Sequence, residues 1–454
     1  MEITKTLANF VVGHQYRDIP QGARHEAARS FLNWMGCAVG ACRHETIDRA
    51  LAALAEFSGP AQATVLGRGE RVDAMLAALI NGTSSHIFDF DDTHLKTVIH
   101  PSGPVASAIL ALAEKTPVRG EDFLHAFILG VEVECRIGNS VYPAHYDVGW
   151  HITGTAGVFG AAAAVGRLLG LNEQRMTWAL GIAATQSSGL REMFGTMVKP
   201  MHPGNAARNG MLAALLAARD FTSSNQGIEA ARGFAHVLST EFKPAEITGR
   251  LGETWEISLN TYKPYACGIV EHPAIDGCIQ LRNEHKLDAE EIESIALRVH
   301  PLVLELTGKK APQTGLEAKF SVYHSTAVAI IHGAGGEPQY SDAVARDPRV
   351  IALRDKVSAA VEQGIHEDQV RIAIRLRNGR TLEKYVEHAV GSLGKPMSDA
   401  DLEAKFRGQT EGILAQAETD KLIGLCWEIG KLKDAGEAAR ASVPGRKTAK
   451  RAAS

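Results

Sequence analysis

Residues 71–114 read RVDAMLAALINGTSSHIFDFDDTHLKTVIHPSGPVASAILALAE. Both ends of this stretch repeat apolar residues at three- and four-residue steps, the period of a helix face turned to a core. The middle breaks that period. Residues 89–103, DFDDTHLKTVIHPSG, hold three carboxylates, two threonines and two histidines. A chain that joins two core helices through such a loop reads as a helical scaffold presenting chemistry on a connection.

Working outward, TLANFVVGHQY, RHEAARSFLNWMGCAVGA and IDRALAALAEFSG keep the helical period. GTAGVFGAAAAVGRLLG (154–170) and GNAARNGMLAALLAARD are dominated by Gly and Ala, which let helix backbones approach closely. Near residue 259 the pattern changes. Ile295, Leu297 and Val299 alternate, as do Val370, Ile372, Ile374 and Leu376, and the second run turns at Asn378–Gly379, a hairpin signal. After Ser398, a helix start with Asp401 and Leu402 behind it, the helical period returns. The expected fold is therefore mainly α. A large all-helical domain (1–258 and 399–440, discontinuous) carries a smaller α+β lid domain (259–398), and the polar, basic residues 441–454 form a disordered tail. There is no internal repeat.

Composition excludes several function classes. The 454 residues carry a net charge of −4, with 45% hydrophobic and 22% charged residues, so no basic surface points to nucleic acid or an anionic membrane. The longest small-apolar run is too short for a bilayer and contains Arg167. The first twenty residues do not read as a signal peptide, and the expected location is cytoplasmic. The six cysteines form no CxxC pair and no zinc spacing. They read as reduced, small hydrophobes, with Cys267 left open because its loop is polar. No phosphate loop, dinucleotide fingerprint or nucleophile elbow is present.

Four loops carry the candidate chemistry. If the helix before DFDDT continues, His86, Asp89 and Thr93 share one face, while Asp91 and Asp92 point toward solvent or the helix end. A metal reading of DFDD lacks the EF-hand glycine and spacing. His100 precedes Pro101, and Ser102 reads as the N-cap of the next helix. His151, in GWHITGTAG, likewise stands before a helix. Lys199 and His202 fall in TMVKPMHPGNAARNG, and Lys263, Tyr265, Cys267 and His272 in YKPYACGIVEHPAIDG. A cleft collecting His100, His151, Lys199, Lys263 and Asp89 suits a small polyanion such as a di- or tricarboxylic acid, with histidines that move protons near neutral pH.

DFDDTHLKTVIHPSG, GWHITGTAG, GTMVKPMHPGNAARNG, KPYACGIVEHPAIDG, AKFSVYHSTAVA and GSLGKPMSDADLEAKF resemble, in order and in spacing, the signatures of the MmgE/PrpD family. The resemblance runs from about residue 5 to 435. It implies a helical domain with an α+β lid and the site between them, a homodimer, and chemistry that needs no metal or organic cofactor. The family includes 2-methylcitrate dehydratase, cis-aconitate decarboxylase and iminodisuccinate epimerase. The decarboxylase's site residues carry over onto Asp89, Thr93, His100, His151, Lys199 and Lys263. Two positions depart from it: Gly268 stands five residues past the lid lysine, where that enzyme has a histidine, and His324 stands where it has a tyrosine. The expected activity is a cofactor-independent lyase, 2-methylcitrate dehydratase-like. In it, His100, His151, Asp89, Thr93 and Lys199 act on the substrate, and Lys199, Lys263, His202, His272, Cys267 and His324 bind it. The alternatives are an isomerase, with the His272/Cys267 loop supplying the second face, a decarboxylase, and a non-catalytic carboxylate-binding protein.

Overall fold

The computed structural model describes residues 2–445. It is mainly helical, as the period predicts. The long helices Gln21–Gly40, Ala74–His86, Ser102–Lys115, Gly120–Val141, Ile152–Leu168 and Val198–Ala217 pack around one hydrophobic core. The backbones come close because glycines face each other. A Cβ on Gly82 would stand 2.6 Å from Gly204 Cα, and one on Gly204 would stand 2.2 Å from Leu79 O. Gly130 and Gly160 face each other in the same way across the helices Gly120–Val141 and Ile152–Leu168.

A second core is built on a four-stranded sheet. Its strands lie in the order Val357–Val361, Ile292–Val299, Val370–Leu376, Thr381–Val386. The first pair is parallel and the other two are antiparallel. The hairpin turns where Asn378–Gly379 predicts, with Gly379 at φ +84°. Helices His272–His285 and Val322–His332 contribute Ile275, Cys278, Val322 and Val328 to this second core. The helices Asp399–Thr410 and Gln416–Trp427 return to the first core through Leu402, Phe406, Leu422 and Cys426. Ser398 caps the first of them, accepting from Asp401 N while Asp401 Oδ2 accepts from Ser398 N. Among the described residues no helix is long and apolar enough to cross a membrane.

Three local expectations need correction. The helix through residue 86 does not run on to Thr93. It ends at His86, Asp89 takes a left-handed φ of +50°, and Thr93–His94 pairs antiparallel with Asn260–Thr261. Asp tolerates that backbone region better than most residues. Ser102 is not an N-cap. It is the first helical residue, and its hydroxyl donates to Asp92 instead. Residues 441 and 442 do not belong to a disordered tail: the helix Gly436–Ala441 is docked and Ser442 is buried. Residues 446–454 lie outside the described residues.

Two outcomes are expected of this core. Gly204→Ala forces a methyl against Leu79 O and Thr83, where two helix backbones meet. Overpacking of this kind costs roughly 1–3 kcal/mol, read as a fall in thermal midpoint. Glu134 is fully buried with both carboxylate oxygens unpartnered, and burial raises its pKa well above the ordinary 4.5. A raised native pKa means the folded state binds the proton more tightly, so this group costs stability as pH rises past 4.5. Glu134→Gln is therefore expected to melt higher than the parent at pH 7, with the gap closing near pH 4. Equal gaps at both pH values would contradict the assignment.

Candidate active site

The site forms where helix ends and loops of the first core meet the second. The loop after His86 is pinned from several sides. Lys405 Nζ donates to Phe90 O (2.6 Å) and Asn33 Oδ1 (2.7 Å). Asp92 Oδ2 accepts from Ser102 Oγ and Asn260 Nδ2, each at 2.6 Å. His94 Nε2 meets Glu256 Oε2 at 2.9 Å, and Thr261 Oγ1 donates to Thr93 O at 2.7 Å. A loop held this way presents its side chains as rigidly as a helix would.

At its centre is Asp89. One carboxylate oxygen, Oδ1, accepts from Lys199 Nζ at 2.7 Å and from Lys263 Nζ at 3.0 Å. Lys263 also donates to Asp89 O at 3.0 Å. All three residues are buried. Burial alone would raise the Asp89 pKa, but the two ammonium groups hold it well below the usual carboxylate range. Burial lowers Lys199 against the pull of Asp89.

Two histidines face this cluster. His100 takes its position from three bonds. Its N–H donates to Thr153 Oγ1 (3.1 Å), and its Nδ1 lies 2.8 Å from Asp92 O and 3.3 Å from Thr93 Oγ1. His151 stands at the N-cap of Ile152–Leu168, its N–H donating to Gly189 O at 2.9 Å and its Nδ1 2.8 Å from His202 Nδ1. Burial, with cationic and imidazole neighbours, holds both rings well below the ordinary histidine pKa. They are neutral near pH 7 and available as proton acceptors.

Asp89, Thr93, His100, His151, Lys199 and Lys263, the six residues carried over from the resemblance, line one pocket of about 50 Å³. The rest of its wall is largely apolar: Val98, Tyr146, Phe194, Ile269, Val270, Leu306 and Phe320. Val98, Ile269 and Val270 also line an outer cleft of about 520 Å³. Val98 sits at φ +54°, a strained region for a β-branched residue and a frequent feature of functional sites.

The other four sequence candidates lie elsewhere. His202 stands behind His151 and does not line the pocket. His272 packs against Tyr265 and lines the outer cleft. The Cys267 thiol is buried, 3.8 Å from Gly268 O, and burial pushes it far above the reactive range. His324 is buried beside Tyr340 of the second core, its Nε2 2.9 Å from Gln339 O.

Sequence reasoning also missed two groups. Asp91 and Asp92 do not face solvent: both are fully buried. Asp91 Oδ2 lies 2.7 Å from His86 Nδ1, and its Oδ1 lies 3.5 Å from His100 Nδ1. His86 is thus tied to the acid five residues on, because the chain leaves the helix immediately after it. A helical projection pairs it with Asp89 instead. The aromatic walls, Phe194 and Phe320, carried no sequence signal.

A buried carboxylate gripped by two lysines stands beside histidines that burial keeps neutral, a set of groups able to accept protons next to fixed positive charge. The chain belongs to the MmgE/PrpD family: the N-terminal domain profile matches residues 5–247 and the C-terminal domain profile residues 265–429. It is 26% identical over 451 residues to cis-aconitate decarboxylase of Mus musculus, covering 95% of this chain and 91% of that protein. It is equally 26% identical over 463 residues to cis-aconitate decarboxylase of Aspergillus terreus, covering 95% and 94%. With 2-methylcitrate dehydratase of Salmonella typhimurium it shares 24% over 400 residues, 79% of this chain and 80% of the other. The C-terminal profile runs past 398 into helices that pack in the first core.

Asp89→Asn leaves two buried ammonium groups without their anion. The expected cost is about 3–5 kcal/mol. Millimolar citrate should restore more of the thermal midpoint in this variant than it adds to the parent, because its carboxylates can replace the lost charge. A variant melting like the parent would show that the lysines do not depend on Asp89.

Proposed function

We propose that this chain is a cofactor-independent lyase that expels carbon dioxide or water from a small di- or tricarboxylic acid, at a carbon next to a carboxylate. The observation that carries the reading is the pair Lys199–Lys263 on one oxygen of Asp89, opposite neutral His100 and His151. A substrate carboxylate bound at the two ammonium groups gains their charge in a water-poor pocket. As electrons flow toward that carboxylate, the same groups stabilise the developing enediolate.

In the decarboxylation arm, the bond to the departing carboxyl breaks toward the apolar face of Phe194 and Phe320, and the electron pair left on carbon takes a proton that a histidine has first accepted from solvent. The apolar wall favours a step that turns an anion into neutral carbon dioxide. The end-to-end likeness to the two cis-aconitate decarboxylases supports this arm. In the dehydration arm, one histidine removes the proton and, as imidazolium, returns it to the departing hydroxyl, which leaves as water near Thr93, whose Oγ1 is 3.3 Å from His100 Nδ1. The likeness to 2-methylcitrate dehydratase supports that arm. The isomerase alternative loses its suggested second face, since Cys267 and His272 do not line the pocket.

A site for such a ligand usually encloses a few hundred Å³. At about 50 Å³ the pocket is smaller than that, so admitting such a ligand calls for its wall to draw back. The resemblance also implies a homodimer, which sedimentation velocity reads directly.

Proton NMR in D₂O with cis-aconitate, 2-methylcitrate, citrate and iminodisuccinate tests the reading. A decarboxylated product or a new alkene is expected, and it names the arm. Deuterium entering recovered substrate without any new compound would replace the lyase by an isomerase. On the substrate so found, His151→Ala should lower turnover roughly 10²–10⁴-fold and Lys199→Ala roughly 10²–10³-fold. Full activity in both variants would sink the assignment.

A further inference from the structure

We propose that His86, His100 and His151 together form a binding site for one divalent transition-metal ion of the zinc class, coordinated through their Nε2 atoms. One ring nitrogen from each of the three buried histidines lies within 4.8 Å of those of the other two. Drawing them to the roughly 3.3 Å spacing of a tetrahedral shell with Zn–N near 2.0–2.1 Å takes a shift of under about 1 Å each.

The way the rings are held favours this. Metal-binding histidines characteristically have their second nitrogen fixed from behind by a carboxylate, carbonyl or other polar group. All three do so here. His86 Nδ1 lies 2.7 Å from Asp91 Oδ2, His100 Nδ1 lies 2.8 Å from Asp92 O, and His151 Nδ1 lies 2.8 Å from His202 Nδ1. Facing acceptor oxygens, His86 and His100 donate from Nδ1 and keep Nε2 as a lone pair; His151 does the same in the tautomer that donates to His202. For His86 that atom is fully buried and has no hydrogen-bond partner, which is costly unless something occupies the space in front of it.

The local charge permits a cation. Asp89 and Asp91 offset Lys199 and Lys263. A mixed set of His86, Asp89, Asp91 and His100 is also close enough to hold an ion. It is the poorer site, because Asp89 Oδ1 already sits between two ammonium groups and Asp91 Oδ2 already holds His86. His100 and His151 line the pocket, so a fourth coordination position stays open to water or an anion. Such an ion takes the nitrogens that the lyase reading uses for proton transfer, so it would inhibit that reaction.

The test uses the full chain stripped with chelator and titrated with Zn²⁺ alone, and with Co²⁺ as a spectroscopic probe. No substrate is present, so the result is independent of the lyase reading. One Zn²⁺ per chain is expected, with a saturable rise in thermal midpoint and Co²⁺ absorption of a low-coordinate nitrogen site. X-ray absorption on the zinc-loaded parent should count three imidazoles. Asp91→Asn should weaken binding about 10–100-fold, and His86→Ala at least as much. No saturable binding, a shell with fewer than two imidazoles, or unchanged affinity in both variants would overturn the proposal. The absorption count decides even if His86→Ala does not fold.

Discussion

Everything at the site hangs on one buried ionic junction, the Asp89 carboxylate held by Lys199 and Lys263. Its members come from the loop after Ala74–His86, the first turn of Val198–Ala217 and the segment entering the second core. Burying three charges is expensive, and only close, multiple contacts offset it. The junction therefore fixes where the first core meets the second. It also leaves two ammonium groups on the wall of one pocket, sharing a single carboxylate oxygen between them.

Around that junction the helical core works by bringing termini together. Glycines at 82 and 204, and at 130 and 160, let helices cross at nearly backbone contact. The ends of three chain segments then deliver His86, His100 and His151 to one small volume. Each ring is steered from behind by a neighbour that does not face the pocket: Asp91, Asp92 O and His202. A proton-transfer site and a three-nitrogen metal site make the same demand, that the imidazoles be neutral and aimed. This scaffold meets it with hydrogen bonds rather than with the ligand.

The sequence by itself determined the mainly α class, the alternating strands near 292–299 and 370–376, the hairpin at Asn378–Gly379 and the helix start at Ser398. These are local choices of period, turn and cap, and nothing distant overrode them. The ordered motifs marked the family and pointed at six of the pocket residues. Tertiary structure decided the rest. Asp89 bonds lysines 110 and 174 residues away, and no local period encodes such pairs. A helical projection tied His86 to Asp89 and turned Asp91 and Asp92 outward. The helix ends at His86, the chain then turns through a left-handed Asp89, His86 meets Asp91, and both acids are buried. Cys267, His272 and His324 share the motifs but not the pocket. A motif records which residues travel together along the chain, whereas the packing of the two cores decides which side chains face the same space.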